Sequence, residues 1–209
     1  MEFDLAKWLT EQCSEYRFDL GGVFRRDSEA AKWPLTARDP LDLEAILASN
    51  GLLLPLPKES AALANVLEVS IVNFLLDRVH QIDGVEVVRG SERGYPDLEI
   101  SGPAFGGGFH AVDIKAAQRE KRKVRRTGHP EEKTQSRITL YTGNTYFKHP
   151  DLKWPGTLRP FNEYRSHLDV ILIYTLNTES AHRVDDLEAI VQEPWRIASR
   201  ERSSTTREY

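Results

Sequence analysis

Cysteine is almost missing from this chain. Cys13 is the only one among 209 residues, so neither an intramolecular disulfide nor a thiolate metal cluster can form. That usage fits a reducing, cytoplasmic setting. Long apolar runs are missing too, since "VILIYTL" at 170–176 is far short of a membrane span. The opening "MEFDLAKWLTEQ" is acidic and amphipathic and lacks the basic-then-apolar order of a signal peptide. There is no excess of positive charge. A formal net charge of −4 gives no global pull toward nucleic acid or anionic membrane, so a polyanionic partner must meet a local patch. The six histidines form neither HExxH nor a His/Cys zinc pattern. "GPAFGGGF" at 102–109 lacks the lysine and spacing of a phosphate-binding loop, which argues against ATP-driven translocation.

What is present is an ordinary globular composition, long enough for one substantial domain. Residues 2–16 carry apolar positions at helical spacing and predict an N-terminal helix. "DPLDLEAILASNG" predicts a short helix with Asp39 near its start and Gly51 just past its end. "KESAALANVLEVSIVNFLLDRVHQ" is the strongest helix signal, with Leu63, Leu67, Ile71, Phe74 and Leu75 on one stripe. The period then changes. "VEVVR", "PDLEI", "FHAVDIKA", "RITLY" and "LDVILIYTL" are short strand-like runs, and the last suits an interior strand covered on both faces. Helices first and strands later, with little strand–helix alternation, predict a mixed α+β (α/β) domain with a central mixed sheet flanked by helices. The least ordered-looking stretches are 118–135 and 199–209.

The chemistry concentrates in two runs, "YPDLEI" at 95–100 and "HAVDIKAAQ" at 110–118, joined by a glycine-rich link. Asp and Lys are poor strand residues, so their presence needs a reason. An antiparallel hairpin turning around Phe105 opposes Ser101 to Phe109 and Asp97 to Asp113. Parity then puts Asp97, Glu99, Asp113 and Lys115 on one outward face, with Leu98, Ile100, Val112 and Ile114 on the core face. Directly opposed carboxylates destabilise a sheet. Two readings follow: a merely solvated hairpin face, or a site where Mg²⁺ binds between carboxylates. Lys115 then adds a cation for a phosphate oxygen or a water, and the set suits phosphodiester hydrolysis.

These residues resemble the PD-(D/E)xK nuclease motif: Pro96-Asp97, then Asp113-Ile114-Lys115. More closely, from about residue 51 onward the chain resembles the EcoRV family of type II restriction endonucleases. "PLPKES" precedes the long helix as in that family, and Glu68 falls on the helix position of a further acidic residue. "ITLYTGNTYF", "RPFNEYRSHLDVILIYT" and "PWRIASRERSSTTREY" are similar to later family segments, the last to a strand and a major-groove recognition loop. The resemblance implies a restriction-endonuclease-like fold and a homodimer around double-stranded DNA. It implies Mg²⁺-dependent cleavage at a short palindrome with 5′-phosphate ends, and a cognate DNA methyltransferase in the same system. Asp97 and Asp113 would be metal ligands, Lys115 would orient the nucleophile or stabilise charge, and Glu68 would be an auxiliary ligand or positioner. Residues 1–209 would form one nuclease domain, with about 1–60 the N-terminal, dimerising part and 61–209 the catalytic and DNA-recognition part.

Departures from the family pattern are also visible. "RRDSEAAKWPLTARDPLDLEAILASN" reads as an insertion, and "RGSERG" replaces a minor-groove loop, with Arg93 as its candidate DNA contact. The tail lacks the family's glycines but offers Ser203, Ser204, Thr205, Thr206 and Arg207 toward base edges, or else frays. The family continues beyond Tyr209. Alternatives are therefore a repair or structure-selective nuclease and a truncated, inactive DNA-binding remnant. Thr145 and Lys148 are candidate backbone contacts. The basic run 119–126 reads as a phosphate-contacting arm or a solvated loop. His110 has core-face parity and reads as structural. Trp8, Trp33, Trp154 and Trp195 read as packing residues.

Overall fold

The computed structural model describes residues 4–18, 39–49, 60–91, 94–120, 133–134, 149–153, 155–177 and 183–197. The helices are α1 (Leu5–Glu15), α2 (Pro40–Ser49), α3 (Ser60–Val79) and the single turn α4 (Pro194–Ile197). The strands are β1 (Glu86–Arg89), β2 (Leu98–Ser101), β3 (Phe109–Glu120), β4 (Lys133–Thr134), β5 (Tyr164–Leu176) and β6 (Val184–Gln192). Sheet order is β1-β2-β3-β5-β6, with β4 paired to the end of β3. All neighbours are antiparallel except β3 and β5, so the sheet is mixed. No helix among the described residues is long and apolar enough to cross a membrane.

Two helices start where a side chain satisfies an open backbone N–H. Asp4 accepts from the N–H of Lys7 at 3.1 Å to start α1, and Asp39 accepts from that of Asp42 at 2.8 Å to start α2. On α3 the expected stripe is buried at Leu63, Leu67, Ile71 and Leu75, with Phe74 half-buried at its margin. This stripe and Leu5, Trp8, Leu9 and Cys13 of α1 pack on one face of the sheet. That face is built from Leu98, Ile100, Val112, Ile114, Leu168, Val170 and Leu172. Cys13 is buried there and its thiol is pushed up to about 12 by burial, so it is a packing residue and not a nucleophile. His110, also on this side, is held by Ser166 Oγ at 2.7 Å and the Phe105 carbonyl at 3.1 Å.

The β2–β3 hairpin has the expected register: Leu98 opposes Val112 and Ser101 opposes Phe109. A single 3₁₀ turn, Pro103–Phe105, and Gly106, Gly107 and Gly108 with φ between +73° and +79° close it. "LDVILIYTL" is an interior strand between β3 and β6, as its continuous apolarity predicts.

Four expectations need correction. The face predicted to point outward is covered at its Glu99 end. Residues 155–164 lie over it, with Tyr95 bridging Thr157 and packing on Phe161 and Tyr164. Glu99 is only 4% exposed and is gripped by Arg159 through two hydrogen bonds of 2.7 and 2.8 Å. Secondly, "VDDLEAIVQ" is the edge strand β6, which periodicity did not single out. Thirdly, "PWRI", placed by resemblance at the start of a strand, forms the helical turn α4, and Trp195 is half exposed instead of packed. Finally, residues 118–120 and 133–134 are strand. "RITLY" lies outside the described residues.

Candidate active site

Strand β2 begins at Leu98, one residue after Asp97, whereas β3 runs on to Glu120. Between Val112 and its short pairing with β4 at Arg119 and Glu120, β3 therefore has no strand on that edge. The backbone N–H groups of Ile114 and Ala116 point into the gap, where carboxylates accept them. Asp97 Oδ2 accepts from Ile114 at 2.6 Å, and Glu68 Oε1, from helix α3, accepts from Ala116 at 3.0 Å. The short β2 thus creates the site: groups that would have been ladder donors now orient two acids, and the Asp97 carboxyl also meets that of Asp113.

Asp113 and Lys115 stand two residues apart on the same side of β3. Asp113 is 8% exposed, and its carboxylate forms an ion pair with the Lys115 ammonium. The ammonium also lies 3.4 Å from the Ile114 carbonyl. The Lys115 side chain keeps 40% of its surface open. Burial alone would pull the Lys115 ammonium down, but Asp113, Asp97 and Glu68 around it outweigh that and raise it. It is a firmly held cation at neutral pH.

The acids respond in the opposite sense. Burial first, and the charge of Asp113 second, push Asp97 up to about 7. Burial also raises Glu68, against its bond from Ala116 and the attraction of Lys115. The chain has gathered more negative charge than one lysine neutralises. Among the described residues no three acids or imidazoles already form a cation cage. The donor chemistry nonetheless fits a hard divalent ion. The carboxylates of Asp97, Asp113 and Glu68 supply hard oxygen donors, and a cation offsets the burial and the repulsion that together raise Asp97.

The structure therefore brings together Asp97, Asp113, Lys115 and Glu68. It adds a group that sequence reasoning missed. Asp169, on β5, is the in-register parallel partner of Asp113 and is 3% exposed. Burial, and then Asp113, push it up to about 7, with Lys115 pulling it down. Arg119, first of the basic run, is already engaged by Glu188 at 2.7 Å and by the Asp186 and Ile173 carbonyls. Residues 121–126 of that run, Arg93, Thr145, Lys148, Ser203, Ser204, Thr205, Thr206, Arg207, Trp33 and Trp154 lie outside the described residues. A cleft of about 760 Å³, lined by Leu5, Phe105, His110 and Arg165 among others, opens on the opposite, helix-covered face and holds none of these acids.

A mixed sheet flanked by helices, with acids and a lysine converging at the end of a short hairpin strand, defines a restriction-endonuclease-like fold. The profile of the family described as Restriction endonuclease EcoRV matches residues 29–209, and the chain belongs to that family of nucleases. No curated protein sequence gives a significant match.

Proposed function

We propose that this nuclease is a type II, site-specific enzyme that hydrolyses phosphodiester bonds of duplex DNA with Mg²⁺ and leaves 5′-phosphates. The observation that carries the reading is the convergence of Asp97, Asp113, Glu68 and Lys115 at the open edge of β3. Asp97 and Asp113 would hold the cation, with Glu68 as an auxiliary ligand or positioner. When bound, the ion lowers the pKa of the attacking water and offsets charge on the scissile phosphate. Lys115 would contribute a fixed positive charge next to the phosphate, orienting the water or a non-bridging oxygen. The bonds from Ile114 and Ala116 would keep Asp97 and Glu68 from swinging away when DNA arrives.

A short palindromic target, a homodimer that reads it symmetrically, and a cognate methyltransferase protecting cytoplasmic host DNA belong to the same proposal. The family profile and the site geometry together support it. The test is incubation with a long, sequenced DNA in Mg²⁺ or EDTA, beside Asp113→Asn. Discrete double-strand fragments, only in Mg²⁺ and only with the unaltered chain, are expected. Random degradation would overturn site specificity, and a preference for nicked or branched DNA would favour a repair nuclease. Binding without cleavage under any divalent ion would leave a DNA-binding remnant.

A further inference from the structure

Asp169 has no evident reason to be where it is. Every other strong determinant along "HLDVILIYT" is apolar, aromatic or hydroxyl-bearing, and the position is almost fully buried. Among the described residues no donor bonds its carboxylate. Lys115, the nearest cation acting on it, is already paired with Asp113. A buried carboxyl without a partner costs stability, and an aliphatic residue of similar size would avoid that cost.

Its placement is specific. Residues paired in register on neighbouring strands point to the same face, with the strands about 4.8 Å apart. Asp113 and Asp169 are such a pair. Continuing the β2–β3 register by one residue sets Asp97 opposite Asp113. Three carboxylates thus form a row across three adjacent chain segments, with Asp113 in the middle. Asp97 has Ile114 to bond and Asp113 has Lys115, whereas Asp169 has only the row itself.

We propose that Asp169 is a metal ligand in this chain, sharing with Asp113 a divalent cation held between β3 and β5. The assignment rests on the nuclease reading above and extends it: the carboxylate row reaches one strand beyond the hairpin, and Asp113 is the bridging member. The competing possibility is that Asp169 is a buried, protonated acid with a packing role.

Mn²⁺ binding to the full chain without DNA, followed by the loss of the free-ion electron paramagnetic resonance signal at mildly alkaline pH, separates the two. Asp169→Asn copies the shape of the protonated acid. The expected result is an affinity about tenfold or more weaker in Asp169→Asn, or one ion fewer per chain. Asp169→Val, checked for folding by circular dichroism, should lose as much. Unchanged affinity and stoichiometry in Asp169→Asn, with binding weakened in Asp97→Asn, would overturn this assignment alone. No Mn²⁺ binding by the unaltered chain at millimolar concentration would overturn it together with the metal reading of the hairpin.

Discussion

The two faces of one hairpin behave as different materials. Along β3, Val112 and Ile114 face α1 and α3 and are sealed in aliphatic packing. Asp113 and Lys115, their immediate neighbours, face the other way and crowd charge against charge. The first face stabilises the fold, and the second carries buried and mutually repelling acids, seen in Asp97 and Asp169, which burial first and Asp113 second raise. A strand with a side-chain period of two can serve both ends at once, because alternate residues never meet. The comparison teaches where the stability of this protein does not come from, and on the proposed function the acids are kept for what they bind.

Four changes would sharpen or break that contrast. The largest effect belongs to the charged face. Lys115→Ala should lower single-turnover DNA cleavage by at least about a thousandfold while leaving the fold intact by circular dichroism. On the apolar face the expectation reverses. Leu98→Ala should lower unfolding free energy by about 2–5 kcal/mol in a urea titration, because it opens a cavity under α3, and should spare activity in the molecules that remain folded.

The pH dependence of the metal-free chain tests the burial and crowding of these acids. Asp97 and Asp169 titrate near 7 in the folded state but near 4 when unfolded, so the folded state binds the extra protons. Their contribution is complete below about 4 and is lost as pH rises through about 7, so stability should fall across that window. Asp97→Asn and Asp169→Asn should each flatten the fall in urea titrations. The smallest effect concerns the covered end of the same face. Arg159→Ala strands the buried Glu99 and should cost about 2 kcal/mol, whereas Glu99→Gln together with Arg159→Ala should recover part of it.

How much of this was legible in the sequence follows the range of the interactions. The hairpin register, its apolar face and the convergence of Asp97, Asp113 and Lys115 came from local alternation and a short turn. Asp169 did not. It lies in a run so apolar that no alternation marks its face, and its partner Asp113 is joined to it by parallel pairing across a long connection. Strand β6 escaped for a related reason. Asp186 adopts φ +49°, and the pairing to β5 shifts register between Ile173 and Thr175, so the apolar positions of "VDDLEAIVQ" keep no clean period. The cover over Glu99 depends on Arg159, sixty residues away, and a solvated face and a covered one look alike until that segment is placed. The role of Arg119 was hidden likewise, since its partners Asp186 and Glu188 sit on the unrecognised strand.

The most direct measurement is the thermal melting of the unaltered chain and Asp97→Asn at pH 8, each with Mg²⁺ and with EDTA. The Asn side-chain oxygen can still accept from Ile114, so the variant removes charge and keeps the bond. A charged face built for a cation predicts that Mg²⁺ raises the melting temperature of the unaltered chain but not of Asp97→Asn. It also predicts that in EDTA the variant melts no lower than the unaltered chain. An unaltered chain indifferent to Mg²⁺, with Asp97→Asn melting lower in EDTA, would contradict the account and make Asp97 a structural residue.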